Sequence, residues 1–183
     1  MTRKSLILLT TTFLLISSAC GGGSGGVVNG GGPSTLVVAS FVPDEPSPGT
    51  NTVSIAQANT SGNMVTLQVN VTDTNDVHTA AFDVVFDDSL VEYVGHTSGS
   101  FLEQGGNVPL YQIGLGPGRI VVGVSRAGNA GANAVGSQAL MNLNFTVTDV
   151  GQSQLSVVNA SLRDGNLADI QGVAWFGGSL IGN

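Results

Sequence analysis

Lysine is missing from this chain after Lys4, and cysteine occurs once, at Cys20. Charged residues make up only 9 % of the 183 residues and aromatic residues 5 %. Each shortage removes a class of function. Without a second cysteine no internal disulfide forms. Once Arg3 and Lys4 are set aside, Arg119, Arg126 and Arg163 stand against twelve acidic residues, so the chain repels phosphate backbones and offers no basic patch for nucleic acid. The longest apolar run, Ser5 to Ile16, falls short of the roughly 20 residues a spanning helix needs. Few windows keep a helical period, and no amphipathic helix stands out.

What is present is β-rich. Glycine occurs 27 times, and Val, Thr, Ser and Asn recur in short runs that favour strands and turns. The organising stretch is Ala80 to Val94. There Phe82, Val84 and Phe86 alternate with Ala81, Asp83 and Val85, so an extended backbone sends the large apolar side chains to one buried face. Asp87, Asp88 and Ser89 then supply turn-forming side chains before Leu90, Val91, Tyr93 and Val94 resume a strand.

The start reads as an export signal over residues 1–19: Thr2, Arg3 and Lys4, then an apolar core, then Ser17, Ser18 and Ala19 before Cys20. That setting of Cys20 resembles the lipobox of bacterial lipoproteins, with Ser17 where the family usually carries an aliphatic residue, and implies lipidation. The alternative is cleavage after Ala19, leaving a free thiol. Gly21 to Gly32 holds eight glycines in twelve residues and reads as a tether. Leu36 to Val42 offers a short strand or a loose contact, and Pro43, Pro46 and Pro48 forbid regular pairing beyond it. The tether is therefore expected over residues 20–50 and the domain over 51–183.

Within that domain strands are expected at Thr52–Ala58, Met64–Thr72, Leu110–Leu115, Arg119–Ser125, Ala139–Thr148, Gln154–Leu162 and Val173–Ile181, besides the organising stretch. Val65, Leu67, Val69 and Val71 point inward against Thr66, Gln68 and Asn70, and Met141, Leu143, Phe145 and Val147 against Asn142, Asn144 and Thr146. About nine half-buried strands predict an all-β antiparallel sandwich with jelly-roll-like topology; a closed barrel is the alternative.

From about Thr52 to Gly182 the chain resembles a cohesin module, the β-sandwich receptor for dockerin-bearing enzymes. Phe86-Asp87-Asp88-Ser89-Leu90-Val91-Glu92-Tyr93-Val94 is similar to the family's Tyr-Asp-Pro-Ser corner and following strand, with Asp88 in place of proline. Gly118 to Val122, Leu143 to Val147 and Ala160 to Asn166 resemble three further segments in the family's order. The resemblance implies a non-catalytic, extracytoplasmic module that binds a dockerin-type partner of a polysaccharide-degrading system, without a cofactor. It implies a partner-binding face on the outward side of the Phe82 strand, at Thr79, Ala81, Asp83 and Val85. Asn142, Asn144 and Thr146 extend that face if their strand lies alongside. Thr79 and Ala81 fall where cellulosomal members carry a hydrogen-bonding Asn and Asp.

Two other readings stay open: direct polysaccharide binding, with Trp175 as the possible sugar contact, and a structural or adhesive surface domain. Catalysis finds little support, since Asp87, Asp88 and Glu92 sit at one turn whereas glycosidase carboxyls oppose each other across a cleft at about 5 to 9 Å. His78 and His96 lack a nucleophile elbow and are expected at the surface. Asp73, Asn75, Asp76 and His78, and separately Asp164, Asn166 and Asp169, offer oxygen ligands; turn formation accounts for both groups, and no metal is expected.

Overall fold

A computed structural model describes residues 36–183; the expected export signal, Cys20 and the Gly-rich tether lie outside the described residues. Eleven strands follow one another: β1 (Ala39–Pro43), β2 (Thr52–Ser61), β3 (Met64–Thr72), β4 (Thr79–Val85), β5 (Val91–Ser98), β6 (Leu110–Gly116), β7 (Arg119–Ser125), β8 (Ser137–Val147), β9 (Gly151–Arg163), β10 (Ala174–Phe176) and β11 (Gly178–Gly182). They form two sheets, one ordered β1-β11-β9-β4-β7-β6 and the other β10-β2-β3-β8-β5. All pairings are antiparallel except that of β10 with β2.

The alternation predicted from sequence produces the core. Val65, Leu67, Val69 and Val71 of β3 are buried, as are Met141, Leu143, Phe145 and Val147 of β8, facing Ala80, Phe82 and Val84 of β4 and Ile120, Val122 and Val124 of β7. Burying two such apolar faces against each other is what makes the sandwich stable. A 3-10 stretch at Phe101–Gly106 drives Phe101 and Leu102 into the interior.

The corner after β4 forms as its side chains dictate. Asp87 Oδ1 accepts hydrogen bonds from the Ser89 N–H at 3.0 Å and the Ser89 hydroxyl at 2.6 Å. Its carbonyl accepts from the Leu90 and Val91 N–H groups. The corner is clipped to the β6–β7 hairpin by the Phe86 N–H donating to the Gly118 carbonyl. Gly118 has φ 59° and lies so close to Phe86 that a Cβ would come 2.5 Å from the Phe86 carbonyl oxygen, so only glycine fits.

Two expectations need correction. The spacer assigned to residues 20–50 contains β1, which pairs along its full length with β11. Pro43 closes this edge strand, and the proline-rich residues beyond it make the connection to β2. Val173 to Ile181, expected as one strand, is two: the chain leaves the smaller sheet after Phe176 and joins the larger at Gly178. Gly177, between them, permits the crossing because any side chain there would overlap the Leu155 carbonyl.

Candidate functional site: the outer face of the larger sheet

The outward side of β4 sits at the centre of a four-strand surface, with β9 on one side and β7 and then β6 on the other. Register fixes its rows. Thr79 lies between Ser125 and Arg163, Ala81 between Gly123 and Ser161, Asp83 between Val121 and Val158, and Val85 between Arg119 and Ser156. Strand β6 adds Leu110, Gln112, Gly114 and Gly116 to the same four rows. Small residues keep this surface low and flat. Val85, Val121 and Val158, near its centre, are 37 %, 45 % and 39 % exposed on a domain otherwise rich in acid, and Leu110 stands out at one corner. An exposed apolar patch depleted of free charge is the composition of an interface centre.

Asp83 is the exception that holds the patch together. It lies on the outward side, as expected, but is 5 % exposed, because two side chains close over it. Arg119, directly across from Val85, forms an ion pair with its carboxylate. Asn159 Nδ2 donates to the same carboxylate at 2.6 Å. Asn159 reaches it from a bulge, where β9 slips register between its pairings with Ala81 and Asp83, and its φ of 51° is one that asparagine tolerates. The Asn159 hydrogen bond, followed by the Arg119 hydrogen bond and charge, outweighs burial and holds the Asp83 carboxyl below the usual carboxylate range.

A pH dependence follows. A carboxyl lowered in the folded state stabilises above its unfolded value of about 3.9 and loses that contribution as pH falls through the lower folded value. Asp83→Asn is expected to cost about 1 to 2 kcal/mol at neutral pH, discounted because the Arg119 side chain is 45 % exposed. In urea titrations the gap between parent and variant should hold from about pH 5 to 7 and close below about pH 4. A gap that does not change with pH would contradict this role for Asp83.

The other half of the expected face lies elsewhere. Asn142, Asn144 and Thr146 are on β8, which pairs with β3 and β5 in the smaller sheet, so they decorate the opposite side of the sandwich from β4. There they satisfy one another's neighbours: Thr66 donates to Asn144 at 2.9 Å, Gln68 to Asn142 at 3.4 Å, and Asn142 to Thr97 at 3.1 Å. Trp175 is half-buried on β10, its ring 5.6 Å from that of Phe82.

His78, expected at the surface, is 7 % exposed. Its Nε2–H donates to the Gly128 carbonyl at 2.7 Å and its Nδ1 accepts from the Thr79 hydroxyl at 3.0 Å, so it ties the start of β4 to the loop after β7. The acidic loops serve turns. Asp73 accepts from the Gly136 N–H, Asp76 from Gly131, and Asp164 from Asn166 and Ala168, while Asp169 pairs with Arg163. At the end of the surface next to Arg119 an open cleft of about 340 Å³ has Phe86, Asp88, Glu92, Tyr93, Leu115 and Pro117 among its lining residues.

Several solved structures share this architecture. A non-cellulosomal cohesin from the archaeon Archaeoglobus fulgidus superposes with a TM-score of 0.53 at 16 % identity, covering 69 % of this chain and 88 % of its own. The sixth cohesin of Acetivibrio cellulolyticus scaffoldin B, solved with a mutant Cel5 dockerin, gives 0.53 at 19 %, covering 75 % of this chain and 96 % of its own. A type II cohesin dyad from ScaA of the same organism gives 0.61 at 15 %, covering 72 % of this chain and 48 % of its own. No curated protein sequence matches the chain. The family model described as "Cohesin domain" matches residues 50–181, most of the chain and nearly the whole sandwich. The chain therefore belongs to the cohesin domain family, whose members are non-catalytic protein-interaction modules.

Proposed function

We propose that the outer face of β9, β4, β7 and β6 docks a dockerin-type protein module, without catalysis, in an extracytoplasmic polysaccharide-degrading system. In this reading the domain is held at a bacterial membrane or cell surface by lipid on Cys20 and lifted from it by the glycine-rich segment. The observation that carries the reading is the exposed trio Val85, Val121 and Val158 set around a neutralised Asp83–Arg119 pair. Such a surface gains by covering apolar area and leaves no unpaired charge beneath the partner. Solved cohesin structures in complex with dockerins add support from the family.

Thr79 and Ala81 replace the hydrogen-bonding pair that the resemblance implies for cellulosomal members. Binding here accordingly rests more on apolar contact and less on hydrogen bonds from that strand. Calorimetric titration against the dockerin modules encoded by the organism that makes this chain tests the reading. Saturable binding by at least one of them is expected. No binding by any dockerin, with retention on insoluble glucan that is lost in Trp175→Ala, would replace this reading with direct polysaccharide binding.

A further inference from the structure

A sheet edge presents unpaired backbone N–H and C=O groups, and folded proteins protect such edges with short length, proline, charge or a bulge. Three of the four edges of this sandwich carry such devices. Strand β10 has only three residues. Strand β1 has five and ends at Pro43, and the Gln57 side chain takes up the Phe41 N–H at 2.9 Å. Strand β5 carries Glu92 and shifts register between Tyr93 and Gly95.

The fourth edge, β6, has none of them. Its seven residues, Leu-Tyr-Gln-Ile-Gly-Leu-Gly, contain no proline and no charge, and they pair with β7 in unbroken register. Among the described residues no strand pairs with its other side. Leu110 and Leu115, near its two ends, are 63 % and 69 % exposed.

We infer that β6 is the contact strand of a symmetric dimer, pairing antiparallel with β6 of a second copy of this chain about an axis through Ile113. The sequence of the strand argues for that occupant. Laid against its own reverse, it sets Leu110 opposite Gly116, Tyr111 opposite Leu115 and Gln112 opposite Gly114, each twice by symmetry. Each glycine thus faces a residue that carries a side chain, and Tyr111 faces Leu115 in an apolar cross-strand contact. The uncharged strand keeps like charges out of the contact between two acidic copies. The described chain enters through β1, at the far edge of the same sheet from β6. Pairing would join two six-stranded sheets into one and set their outer faces side by side.

Sedimentation equilibrium of residues 21–183, which contain every described residue, tests this across about 5 to 500 µM. A reversible monomer–dimer equilibrium is expected. The double variant Gln112→Lys with Gly114→Lys sets like charges opposite one another across the axis and should weaken dimerisation at least tenfold with an unchanged melting temperature. Mixing it with Gln112→Glu and Gly114→Glu should restore a dimer containing one of each. A monomer at all concentrations, or a dimer indifferent to these substitutions, overturns the inference. So does a dimer that forms only once residues 21–35 are removed, since the chain's own segment would then occupy the edge. The two tests read different quantities: self-association in the absence of dockerin here, and dockerin binding by the parent chain there.

Discussion

Replacing Val121 with glutamate is expected to weaken dockerin binding at least 100-fold while moving the thermal midpoint by no more than about 2 °C. Val121 is 45 % exposed and sits between Gly114 and Asp83, in the middle of the proposed docking face. Its exposure means the folded domain loses little by the change. In the complex, however, a second carboxylate would be desolvated beside Asp83, whose own charge already occupies Arg119 and Asn159. Nothing on the row remains to pair with it. A buried charge left unpaired costs 3 to 5 kcal/mol as a rule of thumb, so about 100-fold is a lower bound. Calorimetry on the parent and variant with the same dockerin reads the effect directly. Binding within about threefold of the parent would show that the partner sits elsewhere.

The largest expected loss of stability is at Phe145. This side chain is fully buried on β8, and its ring meets Phe86 edge-on at 5.5 Å and Tyr93 at 5.7 Å. It therefore holds the corner after β4 against the smaller sheet and packs against its own cross-strand neighbour, Tyr93 of β5. Phe145→Ala removes the seat and leaves a cavity that neighbours from three strands cannot easily fill, at a cost of about 3 to 5 kcal/mol. At about 2 to 4 °C per kcal/mol for a domain of this size, the midpoint should fall by roughly 6 to 20 °C. Chemical denaturation would contradict this packing if the loss stayed under about 1 kcal/mol.

Much of the fold could be read from side-chain alternation. Strands β3 and β7 have the predicted limits, and the Asp87 corner forms because its side chain bonds two residues ahead, a local event that needs no tertiary information. What alternation cannot give is the sheet to which a strand belongs. Asn142 and Asn144 face outward as their pattern requires, yet they do so on the other side of the molecule from Asp83. Strand β1 is half legible: Leu36 to Val42 offers a short strand or a loose contact, and the prolines at its end, which argue against regular pairing, are tolerated at a sheet edge.

The candidate face was half legible. Thr79, Ala81 and Val85 follow from the β4 pattern, but Val121 and Val158 enter only through register with β7 and β9. The burial of Asp83 depends on a bulge at Asn159 and on Arg119, 36 residues further along the chain. His78 is buried by a contact with Gly128, 50 residues on. Contacts of that kind arise from topology rather than from local residue pattern.

The central claim is that a dockerin occupies the outer face of the larger sheet. Methyl NMR during titration with a bound dockerin tests it most directly. The account predicts that the methyl signals of Val85, Val121 and Val158 shift together and saturate at one equivalent, while those of Thr66 and Thr146 on the opposite sheet stay in place. Saturable shifts confined to Thr66 and Thr146, with Val85, Val121 and Val158 unmoved, would contradict it.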